Sequence, residues 1–347
     1  MQTLGKRGFC ALPCNFDESI VVVIPAGDFD NDTPLTRYAP MSILQASCHS
    51  EFEDFDESFM TTGGMPCKDN KDDLERDLKR CERLQSIGVV TLDLKERKFD
   101  EFGCLPHNAS LGEAKDQWME NCVKNIAMCG KIPIVLGGDQ NVTVPVFNGL
   151  NRVFGKLIIL HFDSYLDARK AVSRSAGYNP GYNSRTVMRH LFSSAERIIS
   201  VGGRGFNKEE MKFVRQNSDK IDMLRMEDQL RPLWHLNTAI NRITHCIGKH
   251  KVYVSFDISF LDPSTIGAFA TVPEPGGMTY GEILYMWKEI LSKINIVGAD
   301  FVGFCPTRKP ISIVNPEEFD SRFKEELFPP SYALAKLIAR FISRLNI

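Results

Sequence analysis

Short runs of apolar, β-branched residues alternate along the chain with longer stretches in which apolar residues recur at helical spacing. This alternation predicts parallel strands joined by crossover helices, because a parallel strand is buried on both faces and needs a helix to return the chain. Most of the runs lead into Gly, Asp or Pro, and open parallel sheets bind ligands at the carboxyl ends of their strands. The runs are Ile20–Pro25, Ile132–Leu136, Lys156–His161, Arg197–Val201, Lys251–Phe256 and Ile294–Phe304.

Two helices are marked clearly by their spacing. Lys71–Gln85 combines dense charge with apolar residues at helical intervals, and Tyr332–Leu345 carries an apolar stripe along one face. Two further stretches read as surface excursions from the domain: the acidic Glu51–Asn70, with interleaved phenylalanines, and the proline-containing Lys309–Asp320. No internal repeat or low-complexity tract is evident.

Composition narrows the class of protein. The 347 residues are 43% hydrophobic, which is enough for one large core, so a single domain over residues 1–347 is predicted, with residues 1–19 as an irregular N-terminal extension. A formal charge of -2 argues against nucleic acid or a membrane as a partner. No apolar run reaches the roughly 18 residues that span a bilayer, and no signal peptide follows Met1. A cytoplasmic location is therefore expected.

The ten cysteines follow no repeating pattern, and a chain of this size needs no disulfide framework. Reduced thiols are the default expectation. Cys10 with Cys14 and Cys122 with Cys129 are close in sequence, and these two pairs are the alternatives that remain open under oxidation.

Acidic residues leave two of the predicted strands together. Asp163 and Asp167 follow one strand, and Asp257 ends another. Carboxylates gathered at neighbouring strand ends suit a hard cation such as Mn²⁺ or Mg²⁺. The same residues also commonly cap the next helix or hydrogen-bond a loop, so spacing alone leaves both readings open.

Three ordered blocks resemble the ureohydrolase family of arginases, agmatinases and formiminoglutamases. Gly137–Asn141 is similar to the family's Gly-Gly-Asp-His-Ser block, and Asp163–Asp167 resembles Asp-Ala-His-x-Asp. Ser255–Ser259, followed by Pro273–Gly277, is similar to Ser-Phe-Asp-x-Asp and Pro-x-Pro-Gly-Gly. The resemblance covers roughly residues 20 to 345. It implies an α/β class protein with the arginase-like fold: a three-layer α/β/α domain around a central eight-stranded, mostly parallel sheet.

The resemblance also implies a metal site. In this family a binuclear Mn²⁺ centre activates a bridging water, but here Gln140 and Tyr165 stand where the family has histidine ligands and Ser259 where it has aspartate. An amide, a phenol and a hydroxyl are much weaker Mn²⁺ donors than imidazole or carboxylate. We therefore expect no tightly held metal and no cofactor. If an ion binds at all, Asp163, Asp167 and Asp257 are its expected ligands.

The substrate side departs from the family as well. Gly303 stands where arginases and agmatinases place a glutamate that grips the guanidinium, and Ser184 aligns with the loop that carries a general-acid histidine. His161, two residues before Asp163, is predicted as a packed strand histidine, with a substitute ligand as the alternative reading. No catalytic residue is assigned.

Two hypotheses follow from these departures. The first is a pseudoenzyme of the ureohydrolase family, retained for a binding, regulatory or assembly role and no longer hydrolysing guanidines. The second is an active amidino- or formimino-hydrolase with a weak or rebuilt metal site. Because the family commonly forms trimers or hexamers, a homo-oligomer is expected, with a trimer favoured. The sequence does not name a protein partner or a small-molecule ligand.

Overall fold

The computed structural model describes residues 16–26, 36, 39–47, 89–91, 111–170, 182–227, 233–306 and 328–347. Five predictions made above lie outside these residues: most of the N-terminal extension, the Lys71–Gln85 helix, the two surface excursions and the Cys10–Cys14 pair.

The described residues form strands and helices in alternation. The strands are β1 (Val21–Ala26), β2 (Val89–Thr91), β3 (Ile132–Gly137), β4 (Ile158–Phe162), β5 (Arg197–Gly203), β6 (Ile221–Arg225), β7 (Lys251–Asp257) and β8 (Asn295–Val302). The helices are α1 (Ala39–Ser47), α2 (Leu111–Met128), α3 (Thr143–Phe154), α4 (Val187–Leu191), α5 (Lys208–Gln216), α6 (Leu233–Ile247), α7 (Tyr280–Ile290) and α8 (Phe328–Ile342). Short 3₁₀ turns follow β3 and β7, at Gln140–Val142 and Ile258–Phe260, and a third spans Ile266–Phe269.

The eight strands form one sheet in the order β2-β1-β3-β8-β7-β4-β5-β6, and every described pair is parallel. The register aligns His161 of β4 with Ser255 of β7, and Ser255 with Asp300 of β8. The central strands are buried on both faces, which explains their continuous apolar sequences. The predicted eight-stranded parallel sheet is confirmed.

Helices cover the sheet on both faces. Helices α1, α6, α7 and α8 pack on one side around a cluster of aromatic rings, in which the Trp287 ring centroid lies 5.2 Å from that of Phe341 and 5.4 Å from that of Phe256. Helices α2, α3 and α4 pack on the other side around Phe147 and Tyr253. The apolar faces of these helices pack on the two faces of the sheet, which gives the predicted three-layer arrangement.

Local sequence signals fix several helix starts. Helix α5 begins with a capping box formed by Asn207 and Glu210, and α7 begins with one formed by Thr279 and Glu282. Helix α8 begins four residues before the predicted Tyr332, because its two prolines occupy the first turn, where the missing N–H groups have no helical partner.

Cys122 and Cys129 are separate free thiols in this structure. Cys122 is buried, and burial raises the pKa of its thiol to about 12. Among the described helices, none is long and apolar enough to cross a bilayer.

Candidate functional site

A cavity of about 260 Å³ opens at the carboxyl edge of the sheet. The ends of β3, β4, β7 and β8 contribute to it, as the sequence predicted for a parallel sheet. The eight positions that the resemblance aligns with metal ligands or with the substrate site are all in its wall, whereas His161 lies behind it. The lining residues are Asp139, Gln140, Asp163, Tyr165, Asp167, Arg169, Ser184, Arg185, Glu210, Asp257, Ser259, Thr271, Val272 and Gly303.

Asp163 is the centre of the polar network in this cavity. Its Oδ1 accepts hydrogen bonds from the Ser259 hydroxyl at 2.7 Å and from the Tyr165 backbone N–H at 2.8 Å. Its Oδ2 accepts from the Gln140 amide at 3.2 Å. Burial opposes ionisation of Asp163, but the hydrogen bond and charge of His161 outweigh it and hold the pKa below its usual value.

His161 is fully buried beside this carboxylate. Its Nε2 lies 3.3 Å from Oδ2 of Asp163, 3.8 Å from Oδ2 of Asp167 and 2.8 Å from Nε2 of Gln140. His161, Asp163 and Asp167 each offer one ligand atom within 4.8 Å of the others. His161 is thus both a packed strand histidine and a member of a group that could hold one ion.

Asp167 and Asp257 hold protons more firmly than ordinary carboxyl groups. Burial raises the pKa of each well above its usual range, and the nearby charge of Asp163 raises it further. The backbone of Asp167 is in the left-handed region, with φ of 50°, and its carbonyl accepts the Met188 N–H at 3.0 Å at the start of α4. Protonation of Asp167 and Asp257 would relieve the repulsion among the three carboxyl groups.

Tyr165 directs its hydroxyl away from that group. The phenol donates to Glu274 at 2.8 Å, and its ring lies so close to Gly205 that a Cβ there would overlap it. Burial, followed by the hydrogen bond to Glu274, raises the pKa of Tyr165. The phenol is therefore a neutral hydrogen-bond donor to the loop 273–277.

Gly303 has no room for a side chain. Its φ is 76°, and a Cβ at this position would overlap the carboxyl group of Asp257. Its N–H donates to the Gly138 carbonyl at 2.9 Å, and its own carbonyl accepts the Thr271 N–H at 2.8 Å. Glycine is required here both for the backbone conformation and for the approach of Asp257.

The arginines of the cavity do not neutralise the three aspartates directly. The Nε of Arg169 lies 3.7 Å from Oε2 of Glu210. Arg185 is exposed beside Ser184, and its carbonyl accepts the Arg169 N–H at 3.1 Å. Both guanidinium groups therefore belong to the outer wall of the cavity.

Glu210 is a buried site residue that was not predicted from the sequence. It is 2% exposed, and it accepts the Ala168 N–H at 3.2 Å and the Asn207 N–H at 3.0 Å. It thereby ties the segment after Asp167 to helix α5. The Asn-x-x-Glu capping box before α5 is the sequence signal that could have identified it.

A family model for the arginase family matches residues 19–313. The chain belongs to the arginase family. The family resemblance of the three sequence blocks is thereby confirmed. The six positions of this arginase-family chain that the resemblance aligns with metal ligands share one cavity: Gln140, Asp163, Tyr165, Asp167, Asp257 and Ser259.

Relatives and solved structures agree with this assignment. An agmatinase of Neisseria meningitidis serogroup A is 27% identical over 219 residues, which is 62% of this chain and 66% of the relative, just under two thirds of its length. An N(1)-aminopropylagmatine ureohydrolase of Thermus thermophilus is 26% identical over 188 residues, or 54% and 59% of the two chains. The structure of proclavaminate amidino hydrolase from Streptomyces clavuligerus superposes with a TM-score of 0.68 at 17% identity, covering 98% of this chain and 96% of that one.

Proposed function

We propose that this arginase-family chain is a pseudoenzyme: it lacks the binuclear manganese centre and keeps the cavity for a binding, regulatory or assembly role. The observation that carries the proposal is the hydrogen bonding of Asp163. Two of the residues that replace metal ligands, Gln140 and Ser259, donate to its two oxygens. A carboxylate whose two oxygens already accept hydrogen bonds has fewer free lone pairs for an ion, which must compete with those donors.

The donor set does not fit two Mn²⁺ ions. The hydroxyl of Ser259 and the amide of Gln140 replace stronger ligands, and the phenol of Tyr165 is bonded to Glu274. One imidazole and three carboxyl groups remain. Two of those carboxyl groups, Asp167 and Asp257, have raised pKa values, and a protonated carboxyl is a weaker ligand than a carboxylate.

The substrate side supports the same proposal. The resemblance places a guanidinium-binding glutamate at position 303, whereas the chain has a glycine whose Cβ space is filled by Asp257. Loss of a buried charged partner costs on the order of 2 kcal/mol or more in affinity for a guanidinium. Weak binding of guanidine compounds is therefore expected.

Restoring the ligands is the experiment that tests the proposal. The triple variant Gln140→His, Tyr165→His, Ser259→Asp supplies two imidazoles and a carboxylate on the same backbone. We expect this variant to bind Mn²⁺ by calorimetric titration, while the native chain gives no signal at millimolar Mn²⁺. The matched control, Gln140→Asn, Tyr165→Phe, Ser259→Ala, removes the same donors without adding ligands and should not bind. A folded triple variant without Mn²⁺ affinity would refute the assignment of these positions.

The second candidate function is an amidino- or formimino-hydrolase with a rebuilt single-ion site. It is favoured by the close approach of His161, Asp163 and Asp167. A dication held by this group would supply the Lewis-acid chemistry of metal hydrolases. One Mn²⁺ per chain, lost in Asp167→Asn and kept in Asp262→Asn, is the result that would favour this candidate over the first.

A further inference from the structure

Helix α5 presents a basic surface that the cavity does not use. A groove of about 450 Å³ lies along it, on the side away from the buried Glu210 and Val214. We call this surface the α5 groove. Its lining residues are Phe206, Asn207, Lys208, Met211, Lys212, Arg215 and Gln216.

Three cations line the α5 groove at helical spacing. Lys208, Lys212 and Arg215 are exposed, and their side chains make no ion pair or hydrogen bond to the part of the chain that the structure describes. The two acidic residues of α5 contact other groups: Glu209 pairs with Arg189 at 3.1 Å, and Glu210 is buried in its capping box. Among the described residues, none neutralises the positive charge of the groove.

Apolar surface lies among these charges. Phe206 and Met211 are half-buried, and the Arg225 guanidinium stands over the Phe206 ring at 5.2 Å from the centroid. A groove with both features matches a segment that alternates carboxylates with aromatic side chains, since ion pairs set the register and ring burial adds affinity.

The chain itself contains such a segment. Residues 51–59 read Glu-Phe-Glu-Asp-Phe-Asp-Glu-Ser-Phe, with five acids and three phenylalanines. We propose that the α5 groove binds the acidic segment 51–59 of a second copy of this chain. The charges are complementary, and the phenylalanines meet the apolar part of the groove.

The position of α1 keeps the first half of the segment, with Glu53 and Asp54, out of reach of the α5 groove in its own chain. Helix α1 ends at Ser47 and packs over β1 and β3, whereas α5 packs against β6, the sixth strand along from β1. Six strand spacings amount to about 29 Å. The seven residues from Cys48 to Asp54 span at most about 25 Å when fully extended. The first half of the segment therefore falls short of the α5 groove of its own chain.

An interface of this kind is heterologous, because one copy contributes the segment and the next contributes the groove. Such head-to-tail contacts generate a ring when the rotation between copies closes. The predicted trimer is one such ring. Since the groove is solvent-exposed and its contacts are charged, association should weaken as salt rises.

Sedimentation equilibrium of the full chain tests the proposal. We expect the native chain to associate, and we expect Lys212→Glu with Arg215→Glu to weaken association by roughly tenfold or more. A matched control reverses two exposed lysines elsewhere, Lys249→Glu with Lys288→Glu, and should associate as the native chain does. Circular dichroism checks that each variant is folded.

Exchanging the charges of the segment and the groove distinguishes this interface from a general effect of surface charge on association. A segment variant, Glu53→Lys with Asp54→Lys, should fail to self-associate, and mixing it with the groove variant should restore a complex because the reversed charges pair. A monomeric native chain, equal losses in the control, or no complex on mixing would each overturn the proposal.

Discussion

Two parts of the same sheet edge differ in what holds them. The loop 273–277 is clamped to the sheet: the Arg204 guanidinium donates to the carbonyls of Glu274 at 2.6 Å and Pro275 at 2.8 Å. Asp262 accepts two backbone N–H groups from the loop at 2.9 and 3.1 Å. These clamps bind backbone groups and require no metal.

The positions that the resemblance aligns with metal ligands are held differently. Gln140 and Ser259 are joined to each other only through the carboxylate of Asp163, and Tyr165 is joined to Glu274. The loop 273–277 is thus held through its backbone, whereas the positions aligned with metal ligands are held through side chains.

Removing the loop clamp should have the largest effect. Arg204→Ala breaks charge-assisted hydrogen bonds to the carbonyls of Ser259, Glu274 and Pro275, so we expect a loss of about 4 kcal/mol in the free energy of unfolding. Urea denaturation measures it. Arg185→Ala is the control, because this exposed guanidinium makes no hydrogen bond or ion pair to the described residues, and its loss should stay within about 0.5 kcal/mol. Equal losses of stability in Arg204→Ala and Arg185→Ala would contradict the role of Arg204 in holding the loop 273–277.

The second prediction concerns pH and the buried carboxyl group of Asp300 on β8. Burial raises the pKa of Asp300 to about 6, although hydrogen bonds from Tyr253 and Ser255 work against the rise. The folded chain therefore binds this proton between pH 4 and 6 while the unfolded chain releases it. Stability should fall as pH rises through that window, by on the order of 3 kcal/mol for a shift of this size.

Asp300→Asn isolates that contribution. Asparagine cannot titrate, so the free energy of unfolding of the variant should decrease less between pH 4 and 6 than that of the native chain. Asp167 and Asp257 have pKa values raised in the same direction, and they remain in both proteins. Identical pH profiles would show that Asp300 is not the titrating group.

The third prediction compares one glycine from each part of the edge. Gly303→Ala adds a Cβ that overlaps Asp257 in a left-handed conformation, and we expect it to cost about 3 kcal/mol. Gly276, in the clamped loop, has φ of 81° but open space around it, so Gly276→Ala should cost only about 1 kcal/mol. Thermal denaturation of both variants gives the difference, and equal costs would mean that Asp257 moves aside freely.

The smallest expected effect belongs to the other half of the clamp. Asp262→Ala removes the acceptor of the loop N–H groups near the surface, where water replaces it, so a loss of about 1 kcal/mol is expected. Asp262→Asn keeps one acceptor oxygen and should lose less. A larger loss for asparagine than for alanine would argue against hydrogen bonding as the cause.

Much of the fold was predictable from local sequence pattern. Six strands correspond to the six apolar runs, and the ends of each strand and its run differ by no more than two residues. A parallel strand buried on both faces must be apolar throughout. Strands β2 and β6 did not stand out as runs. They lie at the edges of the sheet; β2 is only three residues long, and β6 is partly buried and contains Asp222 and Arg225.

The site was predictable in position and less so in contacts. The eight positions aligned with metal ligands or with the substrate site line one cavity, because strand ends meet at one edge of a parallel sheet. The bond from Tyr165 to Glu274 and the overlap between Gly303 and Asp257 depend on side-chain direction and on φ, which spacing does not specify. Glu210 was missed because its helix was not predicted.

The most direct test of the central claim is the Mn²⁺ content and affinity of the purified, untagged native chain, by elemental analysis followed by calorimetric titration. The hydrogen-bonded state of Asp163 predicts no retained manganese and no binding signal at millimolar Mn²⁺. About two tightly held ions per chain would contradict the loss of the binuclear centre and would make this arginase-family chain a metal-dependent hydrolase.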